Sequence, residues 1–141
     1  MSVYELVRET YVLLQMAVVR AFEPLGLRVE EYNVLRLLAD AGELRMSLLA
    51  QRTLSDDSTT TRVVDSLVER ELARRRRADD DRRVRLVEIT VSGRRVLAQA
   101  ERAHERAVAA ALAPLDEGTI DRMTGSLDAA RDALRRGGQN G

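Results

Sequence analysis

The sequence predicts a mainly helical fold with one small β-hairpin, and three observations carry that expectation. Apolar residues recur at three-and-four spacing over most of the 141 residues. The period changes to two in one place, "RRVRLVEIT" at 82–90. Between two short helical stretches lies "RTLSDD" at 52–57, which reads as a turn. The length suits one domain with a real core.

Residues 3–23 read as a helix, with Val3, Leu6, Val7, Thr10, Leu14, Ala17, Val18 and Ala21 on one face, ended by Pro24 and Gly26. Val12, Leu13 and Val19 widen that face, so more than one surface should be covered. A second helix at about 30–40 turns Val34, Leu35, Leu37 and Leu38 inward, and Gly42 closes it. A short helix follows at 45–52, with Leu48, Leu49 and Ala50 apolar and only Arg45 where an N-cap should stand. Ser55, Asp56 or Asp57 can cap the next helix, which runs to about residue 70. Its buried stripe is Val63, Val64, Leu67 and Val68, and its first turns expose Ser58, Thr59, Thr60, Thr61 and Arg62. Two short helices joined by a tight turn form a helix-turn-helix.

In the hairpin, Leu72 to Arg77 is the partner strand and residues 78–83 the loop. Val84 and Leu86 face one way, with Glu88 at the same parity, while Arg85, Val87 and Ile89 face the other. The loop has no Asn-Gly or Asp-Gly pair, so a longer, protruding connection is expected. A hairpin directly after a helix-turn-helix is the wing of a winged helix. Thr90 caps the following helix, whose seam is Leu97, Ala100, His104, Ala107 and Ala111. After a turn at Pro114 and Asp116 a last helix repeats the spacing with Ile120, Met123, Leu127, Ala130 and Leu134. Seams of 3.5 residues on helices this long should pack on each other, on the first helix and on a second chain.

Formal charge is zero, yet residues 70–95 hold 10 Arg against 5 Asp or Glu, net +5. All basic residues other than His104 are arginine. The absence of cysteine excludes disulfides, thiol switching, zinc thiolates and cysteine nucleophiles. Met1 begins no basic-then-apolar signal and no apolar run approaches a membrane span, so a cytoplasmic protein with no membrane partner is expected. No metal site is expected, because "DDD" at 79–81 lacks the spaced ligands and glycine of a calcium loop. His104, the single histidine, lies on an apolar seam and suits an interhelical hydrogen bond better than a ligand or base. No phosphate loop or catalytic set stands out, so neither an enzyme nor a cofactor is expected.

Hydroxyls and an arginine in the first turns of a helix suit N-terminus-first entry into the major groove. Ser58, Thr59, Thr60 and Thr61 could donate to phosphates, and Arg62 could meet phosphate or a guanine edge. An arginine at the tip of the wing could enter a narrow minor groove, with Asp81 holding it in one orientation. Arg74, Arg75, Arg76 and Arg77, at the hairpin base, would most simply meet phosphates. Any soluble helix has polar caps, and most mixed-charge loops are merely solvated; it is the adjacency of the two elements that favours DNA.

The stretch "LLAQRTLSDDSTTTRVVDSLVERELARRRRADDDRRVRLVEITVSGRRVL" resembles the MarR (multiple antibiotic resistance regulator) family of winged-helix transcription factors. Its most specific parts are the Thr61-Arg62 step, the Asp-Arg-Arg wing at 81–83 and "ITVSGRRVL" at 89–97. The resemblance implies a winged helix-turn-helix with N- and C-terminal dimerisation helices. Residues 1–28 and 91–136 would be the dimerisation helices, 29–90 the DNA-binding region and 137–141 a disordered tail. It further implies a homodimeric regulator, more often repressor than activator, on a pseudo-palindromic operator in double-stranded DNA, released by a small-molecule effector. Arg83 would be the inserted wing residue, with Arg82 the second choice. Tyr4, Tyr11, Phe22, Tyr32 and His104 could line an effector pocket, though such scarce aromatics more simply fill core. Where the family often has glycine after the recognition helix, this chain has Glu71, so that helix is expected to end differently. The alternative is a winged-helix protein–protein module without DNA binding.

Overall fold

The computed structural model describes residues 1–139, and the chain divides into two compact units, Met1–Val108 and Ala109–Gly141. In the first unit, α1 (Val3–Phe22) begins at Ser2, whose Oγ accepts from the Glu5 N–H at 3.2 Å while the Glu5 carboxylate accepts from the Ser2 N–H at 2.7 Å. This reciprocal box satisfies donors that have no partner within the helix. Those hydrogen bonds from Ser2 hold the Glu5 carboxyl below its ordinary range. Pro24 falls in a 3-10 turn at Glu23–Leu25, and Gly26 closes it at φ 59°. There follow α2 (Val29–Ala41), β1 (Glu43–Arg45), α3 (Met46–Thr53), α4 (Asp57–Glu69), β2 (Ala73–Arg77), β3 (Arg85–Ile89) and α5 (Val91–Leu112).

The sheet is antiparallel in the order β1-β3-β2, with Leu44 opposite Val87 and Arg75 opposite Val87 on the other side. β1 was not expected, because three residues are too few to display a period of two. Val87 and Ile89 are the buried face of β3, while Leu86 and Glu88 are half-buried. The core joins Phe22, Leu35, Leu38, Leu49, Val64, Leu67 and Val87, all at most 1% exposed. Each such side chain contributes roughly 1.5–3 kcal/mol of burial. Leu37, expected inside, is only half-buried. α1 departs most from expectation. Only Val18 and Phe22 are buried, whereas Leu6, Val7, Leu13 and Met16 are at least 49% exposed.

α4 does not end differently from the expected glycine geometry. Glu71 takes the left-handed conformation at φ 61°, and the Leu72 N–H reaches back to the Leu67 carbonyl at 2.8 Å. An L side chain there costs about 1–2 kcal/mol, of which glycine's extra chain entropy would return about 0.5–1 kcal/mol. Glu71→Gly is therefore expected to stabilise the fold by about 0.5–1 kcal/mol. Urea denaturation checks this, and a lower midpoint would show that Glu71 contributes through its side chain.

In the second unit, α6 (Glu117–Gly138) is capped by Asp116, whose Oδ1 accepts from the Thr119 N–H at 2.7 Å. No residue of α6 is buried, and Leu127 and Leu134 are 51% and 77% exposed. Gly137 and Gly138, expected in a disordered tail, are helical. Propagating a formed helix costs far less than nucleating one, and Arg135 and Arg136 complement the dipole of its last turn. The rest of the expected tail, 140–141, lies outside the described residues.

Candidate nucleic-acid interface

Asp56 is the cap that starts α4. Its Oδ1 accepts from the Thr59 N–H at 2.6 Å and from the Ser58 hydroxyl at 2.9 Å. Those bonds, the backbone one first, hold its carboxyl below the ordinary range. Ser58, Thr61 and Arg62 are exposed on the first turns, and Thr59 is half-buried with its Oγ1 3.4 Å from the Arg62 guanidinium. The Thr61 hydroxyl donates to the Asp57 carbonyl at 2.8 Å. Thr60 departs from expectation. It is 2% exposed and cannot meet a nucleic acid from this position. In a helix, residue 60 falls between Val63 and Val64 on the face turned to α2, so the stripe that buries those valines buries Thr60 as well.

The wing is a five-residue ladder closed by a loop. The Ala78 N–H donates to the Val84 carbonyl at 3.0 Å, and the Val84 N–H to the Asp81 carbonyl at 3.0 Å. Residues 81–84 are therefore a hydrogen-bonded turn at the tip. The Asp81 carboxylate also accepts from the Arg83 N–H at 3.0 Å and stands 3.5 Å from the Arg83 guanidinium. The Arg83 side chain is 94% exposed. Arg82 is exposed too, and its carbonyl accepts from the Arg77 guanidinium at 3.1 Å.

The four arginines at the hairpin base fare differently. Arg74 pairs with Glu88 at 2.8 Å and Arg75 with Asp65 on α4. Arg76 makes a bidentate pair with Glu43 on β1, with contacts of 2.6 to 2.9 Å. The hydrogen bonds to Glu43 raise the Arg76 guanidinium pKa further, so it is charged at all accessible pH. Asp79, fully exposed, stands 3.8 Å from Arg76 as a weaker partner. Arg77 lies directly opposite Arg85 across the ladder. Like charges in that relation oppose each other. Arg75, Arg76, Arg77 and Arg85 line a basic hollow of about 240 Å³. Arg85 was missed as a site residue, although the alternation that put it on the face of Val87 and Ile89 was visible.

The expected effector residues do not form one pocket. Phe22 and Tyr32 have ring centres 4.9 Å apart, and His104 stacks on Tyr32 at 5.6 Å. Phe22 and Tyr32 belong to the core with His104 half-buried beside them, and burial raises the Tyr32 hydroxyl pKa above its ordinary value. Tyr11 stands apart, 60% exposed on α1, as does Tyr4 at 75%. Among the described residues no group of three or more acidic or histidine side chains could hold a metal ion, and no helix is long and apolar enough to cross a membrane.

A helix-turn-helix followed by an arginine-tipped hairpin defines the class, a winged-helix protein. Residues 27–84, from the end of the first turn through the wing tip, match the MarR family. The fold agrees over nearly the whole chain. E. coli MarR in its apo form superposes with a TM-score of 0.86 at 18% identity, covering 92% of this chain and 96% of that one. A MarR-family transcriptional regulator from Rhodococcus sp. RHA1 gives 0.79 at 26% identity, over 92% and 95%. A mutant E. coli MarR complexed with operator DNA gives 0.79 at 18% identity, over 89% and 91%. No curated protein matches the chain by sequence.

Proposed function

We propose that this chain is a sequence-specific transcriptional regulator that binds a pseudo-palindromic operator as a homodimer and acts as a repressor. The observation that carries the reading is Arg83, 94% exposed at the wing tip, with its backbone N–H bonded to the Asp81 carboxylate and its guanidinium 3.5 Å from it. An arginine already oriented loses less entropy on entering a narrow minor groove. The opposed Arg77 and Arg85 support the reading, because a fold that tolerates such repulsion gains when a polyanion neutralises it. Ser58, Thr61 and Arg62 would face the major groove, with Thr59 behind them. Arg82 flanks the inserted arginine. Arg74, Arg75 and Arg76 serve first as struts, since their carboxylate partners lie within the fold. Residues 1–28 and 91–136 would carry the dimer contacts. On α1 alone, the exposed Leu6, Val7, Leu13 and Met16 form an apolar surface that a second copy would cover. Release by a small molecule is part of the proposal, at a place other than the aromatic cluster.

Selection of bound duplexes from a random pool tests the reading directly, and two-fold symmetric half-sites are the expected outcome. On the selected duplex, Arg83→Ala is expected to weaken binding by more than about 1 kcal/mol and leave the oligomeric state unchanged. Normal affinity in that variant would remove the wing tip from the interface. Affinity for the selected duplex should fall linearly in the logarithm of salt concentration and exceed that for random DNA. Equal, weak affinity for both would favour a protein–protein module.

A further inference from the structure

A further cleft is lined by none of the side chains proposed to meet DNA. It lies between α2 and the α3–α4 turn, encloses about 280 Å³, and is lined by Arg36, Leu37, Asp40, Arg52 and Leu54 among others. Asn33 and Thr53 are shared with a more enclosed chamber of about 80 Å³, whose walls include Glu30, Ser55 and Thr60. Together they are at the small end of ligand pockets.

Two features of this cleft bear on what it could hold. First, Thr60 Oγ1 is buried with no hydrogen-bond partner, alone in this among the described residues. A stranded hydroxyl costs about 1–3 kcal/mol, and such groups call for a specific reason. Second, the charges lining the cleft are uncommitted. Among the described residues Arg36, Arg52, Asp40 and Glu30 make no ion pair, so side chains of both signs stand around the cleft without a charged partner. Arg36 is nevertheless held in place, its guanidinium carbon 5.6 Å from the Tyr32 ring centre. Leu54 adds a side chain 95% exposed at the mouth, on a backbone at φ 55° that a leucine adopts only at a cost.

We propose that this cleft binds a small zwitterion, an α-amino acid with an apolar side chain. The ammonium group, with three donors, is matched in the inner chamber by the acceptors of Glu30, Asn33 and Thr60. The carboxylate is matched by Arg36 and Arg52, and the side chain lies along Leu37 and Leu54. Asp40 disfavours a second negative charge on the ligand. Because Ser55 and Thr60 belong to the turn and the recognition helix, occupancy would also shift how α4 meets DNA. That coupling rests on the regulator reading, but binding does not, and the two are measured separately.

The probe is L-leucine, titrated to about 10 mM into the full chain labelled with ¹⁵N. Saturable shifts are expected at the amides of Asn33, Arg36, Ser55 and Thr60. L-leucinamide, without the carboxylate, and N-acetyl-L-leucine, without the ammonium, should each bind about ten-fold more weakly. Arg52→Gln and Thr60→Val should weaken leucine binding to a similar degree, about ten-fold, and Thr60→Val should also raise the melting temperature, because it removes the stranded hydroxyl. No saturable shift, equal binding of N-acetyl-L-leucine, or unchanged binding in Thr60→Val would each overturn the site. Leucine that binds the chain but leaves its affinity for the selected duplex unchanged would overturn only the coupling.

Discussion

Gly93→Ala is expected to destabilise the first unit by about 3 kcal/mol or more, the upper range for forcing an added methyl into close packing. A Cβ built at Gly93 would stand 2.0 Å from the Leu72 carbonyl oxygen and 2.8 Å from Ile89 Cγ1. Neither neighbour is free to retreat. The Leu72 carbonyl accepts from the Thr90 N–H at 3.1 Å, and Thr90 Oγ1 bridges the Glu71 carbonyl at 2.7 Å and the Gly93 N–H at 3.0 Å. Ile89 is a buried residue of β3, opposite Ala73 in the ladder. The first turn of α5 thus sits on the junction between α4 and the hairpin, and only a hydrogen fits between them. Gly125→Ala in α6 is the control. A Cβ there meets nothing within 4 Å, so alanine's better helix propensity should stabilise by up to about 1 kcal/mol. Urea denaturation of both variants checks the pair. A Gly93→Ala midpoint equal to that of the unaltered chain would mean that α5 can shift away from Leu72, and that its position is set elsewhere.

The helix-turn-helix and the wing were legible because each depends on local chemistry. Asp56 was one of three candidate caps, and Asp81 beside Arg83 was expected to aim it; both geometries depend on groups within three residues of each other. Gly93 was visible only as part of a motif, and its reason, the Leu72 carbonyl, is 21 residues away in sequence and invisible to any local pattern. Thr60 was misplaced because a run of four hydroxyl residues, 58–61, has no apolar contrast from which to read a face. The arginines at the hairpin base looked available because their partners, Glu43, Asp65 and Glu88, are brought to them only by the sheet and by α4. That the scarce aromatic residues more simply fill core was legible, and Phe22 and Tyr32 do so; which rings meet depends on packing.

Glu31→Ala is expected to cost about 3 kcal/mol, the lower end of the range for breaking a buried ion pair. Nothing in the sequence singled out this glutamate, which occupies an ordinary polar position in the first turn of α2. In the fold it is 1% exposed. One carboxylate oxygen accepts from the Arg28 N–H at 3.0 Å, completing the cap of α2. The other accepts from the Ser66 hydroxyl at 2.9 Å and the Arg70 guanidinium at 3.4 Å. Arg70 goes on to the Gly26 carbonyl at 2.8 Å. A single side chain therefore ties the start of α2 to the end of α4, and through Arg70 to the turn after α1. Alanine would strand the Ser66 hydroxyl and leave the helix start uncapped. Arg70, with its side chain 34% exposed, recovers hydration when its partner is lost, so the cost falls at the low end of that range. Ser66→Ala removes one bond and leaves the carboxylate its other partners, so it should cost only about 1 kcal/mol. If the two variants unfold at the same urea concentration, the carboxylate is not the tie between α2 and α4, and the buried position of Glu31 would reflect the packing of its methylenes.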